Sequence, residues 1–287
     1  MTRPVGKTAF VFAGGGSLGA IQVGMLRALL LSGVKPDFVI GTSVGALNAS
    51  FFAGAPNIEG VTRLEHIWAG LRRADIFPFT FATAFGVLRH SGHVASPHRL
   101  RRLIEQHLPY ALLQDSELPV HVTATDTNGR SVCLSRGPAV EAVLASTAIP
   151  CVFPHVLFDD KTLMDGCIAA NTPIRIAAEL GASRIFVLST GYACALREPP
   201  KGIIARALHA VTLMIASQIR HDLEWLPKNI EIYAAPTICP LNVSPYDFTS
   251  SKMLIDEAAR LSQNWIEGGG LTRRALPQEF SPHNHNH

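Results

Sequence analysis

The stretch FVIGTSVGALNASFFAG, Phe38–Gly54, runs from a short apolar segment through two glycines that flank a serine and into a second apolar segment. Phe38 to Ile40 reads as a buried strand, and the residues after Val44 read as a helix packed on the sheet. Gly41-Thr42-Ser43-Val44-Gly45 is therefore G-x-S-x-G placed between a strand and a helix, the context that gives this motif its mechanical meaning. A serine at so sharp a turn points its hydroxyl away from the sheet, and the glycines remove side chains that would collide there. The N–H groups opening the following helix face any negative charge that forms nearby. Ser43 is thus a candidate nucleophile; the alternative is a glycine-tolerant turn with a capping serine.

Upstream, FVFAGGGSLGAIQVG (Phe10–Gly24) predicts a strand over Thr8–Ala13, a glycine loop and a helix from about Ala20 to Leu31. Gly14, Gly16 and Gly19 match G-x-G-x-x-G, which read literally is a dinucleotide fingerprint. Such a site needs an acidic residue at the end of the second strand to take ribose hydroxyls. Asp37 precedes Phe38 and so lies at the wrong end, whereas Thr42-Ser43 lies at the right one. A nicotinamide-dependent oxidoreductase is therefore the weaker alternative, and no cofactor is assigned. Parallel strands place the glycine loop beside the serine turn, at the sheet edge where ligands bind. The oxyanion-hole candidates are Gly14, Gly15 and Gly16, with Gly15 and Gly16 the best donors; losing one such donor typically costs about 3 kcal/mol of transition-state stabilisation.

The nucleophile needs a base. His155, His209 and His221 are late enough in the chain, but His155 falls in a loop and the other two in helical text. Asp165, in LMDGC, follows an apolar pair and precedes a glycine. Withdrawn from water, such a carboxylate gains basicity and can take a serine proton without an imidazole. Asp126, Asp159 and Asp160 compete with it, and spacing alone does not rank them. No histidine–carboxylate spacing matches H-E-x-x-H or another metal pattern, so no metal is assigned.

Around these motifs the chain alternates strands and helices, which predicts an α/β sheet. Helices are expected over Ile58–Leu71, from Ser96 as N-cap with Pro97 just inside, up to Pro150, after Thr172, over Lys201–Leu226 and over Ser250–Trp265. Strands are expected at Val120–Ala124, at RIFVLST and at EIYAAP, with hairpin turns at Asn128-Gly129 and Asp159-Asp160. Between residues 74 and 96, Phe77, Phe79, Phe81 and Phe85 follow no steady period, and they suggest a core cap or an apolar cover over an acyl groove.

The 287 residues carry 25 Lys and Arg against 22 Asp and Glu, a formal charge of +3 that argues against nucleic-acid binding. The short clusters at Arg72-Arg73 and Arg99 to Arg102 read as solvated surface. Charged residues make up only 16%, which leaves apolar surface for a lipid or a partner. Five cysteines without a C-x-x-C pair read as mostly buried thiols in a reducing, cytoplasmic setting. No apolar run is long enough for a membrane span, so any membrane contact is expected to be peripheral, through Ile76 to Leu88 and the flanking Arg72, Arg73 and Arg89. The closing SPHNHNH resembles an appended tag.

Taken together, Gly14-Gly15-Gly16-Ser17-Leu18-Gly19, Gly41-Thr42-Ser43-Val44-Gly45 and Asp165-Gly166, in this order and with this long final gap, resemble the patatin-like phospholipases. The resemblance implies a three-layer α/β/α fold with a central, mostly parallel sheet, over residues 1–270 with a tail at 271–287. It also implies a Ser43–Asp165 dyad that cleaves fatty-acyl esters of phospholipids or lysophospholipids. Two positions depart from the family pattern: Leu18 stands where a basic residue is common, and Cys167 where Gly or Ala is usual. A soluble carboxylesterase and a catalytically silent interaction module are the alternatives.

Overall fold

The computed structural model describes residues 6–76, 96–191, 203–241 and 243–275. The strands are β1 (Lys7–Phe12), β2 (Phe38–Thr42), β3 (Val120–Asp126), β4 (Ser131–Leu134), β5 (Val156–Phe158), β6 (Lys161–Asp165), β7 (Ala182–Leu188) and β8 (Glu231–Ala234). The helices are α1 (Gly19–Leu31), α2 (Val44–Ala53), α3 (Ile58–Gly70), α4 (Arg73–Ile76), α5 (His98–His107), α6 (Ala139–Ser146), α7 (Cys167–Ala170), α8 (Ile174–Glu179), α9 (Ile203–Trp225) and α10 (Ser251–Glu267). Hydrogen bonds link the strands in the order β5-β6-β3-β2-β1-β7-β8, with β4 added to β3. The pairs β3-β2, β2-β1, β1-β7 and β7-β8 are parallel, whereas β4 and β6 run antiparallel to β3.

Three layers follow from the pleat. Along β1, Phe10 and Phe12 face a core shared with α1, α2, α3, α6 and α10, while Ala9 and Val11 face a second core with α8 and α9. Helices therefore cover both faces, and the buried strands read as continuous apolar runs. The α/β/α architecture expected from the sequence is the one observed.

The register of β3 brings the site together. β4 pairs with Val122–Thr125, which occupies one edge of β3. β2 pairs with residues 120–123 and β6 with residues 124–126, so both must lie along the other edge. They run in opposite directions and meet end to end: Thr42, the last residue of β2, lies opposite Thr123, and Asp165, the last of β6, lies opposite Ala124. The hairpin that turns the chain into β6 is closed by Asp159 and Asp160, with φ of 45° and 59°, the left-handed pair that such two-residue turns require.

Two local expectations need correction. Helix α5 begins at His98 with Pro97 as its N-cap, because the Pro97 carbonyl already accepts the first helical bond from Arg101 N–H at 2.8 Å; Ser96 lies outside and is exposed. Nor are the thiols mostly buried: Cys133 and Cys151 are exposed, and Cys167 and Cys239 are half-buried. Cys133 lies on the short, largely solvent-facing β4, and Cys151 is in a turn with φ 67°. Cys194 and Phe77 to Phe85 lie outside the described residues.

Candidate active site

Ser43 leaves β2 at φ 55° and ψ −125°, a conformation that costs a non-glycine residue about 1–3 kcal/mol. The turn is this tight because its flanking residues have no room for side chains. A Cβ on Gly41 would meet the Gly45 carbonyl oxygen, and one on Gly45 would meet the Phe12 carbonyl oxygen and lie 2.6 Å from that of Ala13. Val44 then opens α2. The Thr42 hydroxyl donates to Ala170 O at 2.8 Å and ties the turn to α7. Ser43's own N–H donates to the Ser146 hydroxyl at 2.8 Å, and that hydroxyl donates to Thr123 O at 2.6 Å. A buried relay therefore holds the strained residue from α6 and β3.

The Ser43 hydroxyl donates to Asp165 Oδ2 at 2.7 Å, and the other carboxyl oxygen, Oδ1, accepts the Cys167 N–H at 2.8 Å. Asp165 is fully buried and Ser43 nearly so. Its backbone is fixed as well: Asp165 N–H donates to Ala148 O at 2.9 Å, and its carbonyl accepts from the Thr125 hydroxyl at 2.8 Å. Loss of hydration pushes the Asp165 carboxyl up to about 6, against the opposing pull of the Cys167 N–H and the Ser43 hydroxyl. The result is a base that is ionised at neutral pH yet more basic than an exposed carboxylate.

The competing groups lie elsewhere. Asp126 accepts N–H bonds from Asn128 and Arg130 at 2.8 and 2.9 Å and so closes its own turn; Asp159 and Asp160 are exposed in the hairpin. His155 and His221 are exposed. Asp37 accepts from Thr8 N–H at 2.7 Å at the amino end of β2, so it braces the strand edge opposite the site.

The glycine loop lies against the serine turn. Gly14 N–H donates to Asn171 O at 3.0 Å, which removes it as a donor to substrate. Among the described residues, no backbone carbonyl accepts from the N–H of Gly15 or Gly16. Thr190 Oγ1 donates to Gly14 O at 2.7 Å, while Ser17 donates through N–H to Pro245 O at 2.8 Å and through its hydroxyl to Ser244 O at 3.0 Å. Leu18 is half-buried and packs on the core.

Beneath loop and turn runs a polar chain that the sequence reading missed. Trp68 Nε1 donates to Asn48 Oδ1 at 2.9 Å, Asn48 Nδ2 donates to Gln22 Oε1 at 2.8 Å, and Gln22 Nε2 donates to Ala13 O at 2.7 Å and Leu188 O at 2.9 Å. It stitches α3, α2 and α1 to the ends of β1 and β7. Gln22 and Asn48, polar residues set among mostly apolar neighbours in their helices, were the available signal.

Above Ser43 opens a narrow cavity of about 40 Å³, lined mainly by apolar groups including Leu47, Trp68, Leu71, Ile149, Phe153 and Phe248. Its described lining carries no charged side chain. Among the described residues, no group of three or more His, Cys, Asp or Glu could hold a metal ion, and no helix is long and apolar enough to cross a membrane.

The patatin-like phospholipase family model matches residues 10–178, from β1 through most of α8. A patatin-like phospholipase domain-containing protein of Caenorhabditis elegans is 29% identical over 187 residues, 63% of this chain and 16% of that protein. Lysophospholipase NTE1 of Pyricularia oryzae is 27% identical over 191 residues, 66% of this chain and 12% of its own length. The chain thus spans only a small part of these curated relatives. Among solved structures, VipD from Legionella pneumophila is similar with a TM-score of 0.45 at 17% identity, covering 91% of this chain and 67% of that one. The family match takes in the glycine loop, the serine turn and Asp165 alike, and the chain belongs to the patatin-like phospholipase family.

Proposed function

We propose that the protein is a serine acyl hydrolase that cleaves fatty-acyl esters of phospholipids or lysophospholipids. The observation that carries this reading is the 2.7 Å hydrogen bond from the Ser43 hydroxyl to Asp165 Oδ2, buried beneath an apolar cavity. Ser43 Oγ attacks the ester carbonyl carbon and its proton passes to Asp165 Oδ2. The N–H groups of Gly15 and Gly16 receive the negative charge that develops on the carbonyl oxygen. Asp165 returns the proton to the departing alcohol as the ester bond breaks, leaving an acyl group on Ser43. Water then attacks this acyl-enzyme and gives one proton to Asp165, which passes it to Ser43 Oγ as the acyl–oxygen bond breaks and the fatty acid leaves.

The apolar lining supports contact with the acyl part of a lipid, and the exposed thiols of Cys133 and Cys151 support a reducing, cytoplasmic setting with peripheral contact to lipid. A catalytically silent module would keep both a strained serine and a buried acid without using either. The test is covalent labelling of the purified protein by a fluorophosphonate, with fatty-acid release from phospholipid, lysophospholipid and short neutral esters. Ser43→Ala should abolish labelling and lower turnover by at least about 10⁴-fold. A wild-type protein that neither labels nor releases fatty acid would overturn the reading; turnover confined to short neutral esters would reassign it as a carboxylesterase.

A further inference from the structure

Between α3 and α5 lies a groove of about 730 Å³. Both helices turn the same pattern toward it. On α3, Arg63, His66 and Ile67 follow the i, i+3, i+4 spacing that shares one helix face; on α5, Arg99, Arg102 and Leu103 do the same. The basic side chains are exposed, whereas Ile67 and Leu103 are half-buried and pack on the core below. Phe51, Leu64 and Leu71 complete an apolar floor. The carboxylates of these helices are engaged elsewhere: Glu65 pairs with Arg27 at 2.8 Å, and Glu105 and Glu141 pair with Arg101 at 3.7 and 2.7 Å, all outside the groove lining. Asp75 is the acid in the described lining, and it accepts Arg72 N–H at 2.9 Å. Against it stand the guanidinium groups of Arg63, Arg99 and Arg102. Arg99 donates to the Ala74 carbonyl at 3.2 Å, and among the described residues the other two have no side-chain hydrogen bond or ion pair.

We propose that this groove docks the protein on an anionic phospholipid surface, with Arg63, Arg99 and Arg102 holding head-group phosphates while Ile67 and Leu103 meet the acyl chains beneath them. The choice of lipid as partner rests on the hydrolase reading above, and the groove gives the peripheral contact a definite place. A cationic rim over an apolar floor complements a phosphate-bearing head group over its hydrocarbon. Arginine suits the rim, because a planar guanidinium takes two phosphate oxygens at once. The basic run from Arg99 to Arg102 is thereby divided: Arg101 is spent on a two-pronged bond to Glu141 at 2.7 and 2.9 Å, and its neighbours at 99 and 102 face the groove. Leu71, just past the end of α3, lines both this groove and the cavity above Ser43. A membrane held in the groove is thus brought beside the dyad.

The test is co-sedimentation of the full chain with vesicles of phosphatidylcholine, with or without phosphatidylglycerol. Wild type should bind the mixed vesicles, bind pure phosphatidylcholine far more weakly, and lose binding as salt is raised. Arg63→Gln, Arg99→Gln and Arg102→Gln combined should lower partitioning onto the mixed vesicles on the order of 100-fold, about fivefold for each arginine. A control that changes the exposed Arg130, Arg136 and Lys228 to Gln removes the same charge from other surfaces, so the formal +3 falls to zero in both proteins. The control should retain most of the wild-type binding. Equal losses in the two variants would assign the attraction to net charge and overturn the proposal. Equal binding of wild type to both kinds of vesicle would overturn it too, as would binding of glycerol phosphate without any binding to vesicles. Ester turnover by a wild type that ignores vesicles would remove the docking surface and leave the hydrolase reading intact. Vesicle binding by a wild type without turnover would do the reverse.

Discussion

Two strands meet end to end along one edge of β3, and each brings a different physical difficulty to the meeting point. β2 ends in strain: Ser43 has a φ of 55° between glycines that have no space for a Cβ. β6 ends in desolvation: Asp165 has an unremarkable strand backbone, but its carboxyl group is fully buried and pushed up to about 6. Strain is a local cost, set by the residue and its immediate neighbours. Desolvation is a cost imposed by everything packed around the group. Ser43 and Asp165 are thus prepared by separate means, and substitutions can remove one preparation while leaving the other.

The largest effect is expected where the strained turn is crowded further. Gly45→Ala places a methyl group against the Phe12 and Ala13 carbonyl oxygens and should cost about 3 kcal/mol or more in urea unfolding; Gly33→Ala, with φ 82° and open space around it, should cost only about 1 kcal/mol. If the two cost the same, crowding is not what makes the turn depend on glycine.

Next comes relief of desolvation. Asp165→Asn should abolish ester hydrolysis and yet stabilise the fold. The folded-state carboxyl ionises near about 6 and an unfolded one near its ordinary value of 3.8, so the wild type loses stability as pH rises between those values. Above that window the asparagine variant should be more stable by on the order of 2–3 kcal/mol, and the gap should close at pH values below it. Thermal melts at pH 4 and pH 8 measure this directly, and a gap of equal size at both would remove desolvation from the account.

Smaller is the effect of the relay. Ser146→Ala leaves the buried Ser43 N–H without its acceptor and should cost about 2 kcal/mol in denaturant unfolding, with a drop in turnover. The smallest effect isolates the strain itself. Ser43→Gly and Ser43→Ala both lack the hydroxyl, but only glycine is at ease with positive φ, so the glycine variant should be the more stable by about 1 kcal/mol. Equal melting temperatures would mean that the elbow stores no strain.

The same contrast explains what the sequence disclosed. A strained turn needs glycines at fixed offsets, so Gly41-Thr42-Ser43-Val44-Gly45 announced its strand, turn and helix in five letters. The right-handed helix and strand text around it gave most element positions, and the Asp159-Asp160 hairpin was read from its turn residues. Asp165 could not be separated from Asp126, Asp159 and Asp160 by the same route, because what distinguishes it is the shared edge of β3, a register between residues 122 positions apart. Family resemblance, not local chemistry, selected it. The polar chain from Trp68 through Asn48 to Gln22 was missed for a similar reason: its members lie on three helices and become a network only after folding. Ser96 was misplaced because a capping residue and a proline were read without the carbonyl geometry that makes Pro97 itself the start of α5.

The grip on the glycine loop has a consequence for where this chain can be divided. Thr190, Ser244 and Pro245, which hold Gly14 and Ser17 in place, all come after the residue at which the family match ends. A fragment stopping near residue 180 would keep Ser43 and Asp165 but lose these contacts to the glycine loop together with β7, β8 and α10, whose side chains complete both cores. The surroundings of the glycine loop and serine turn therefore depend on more of the chain than the family match spans.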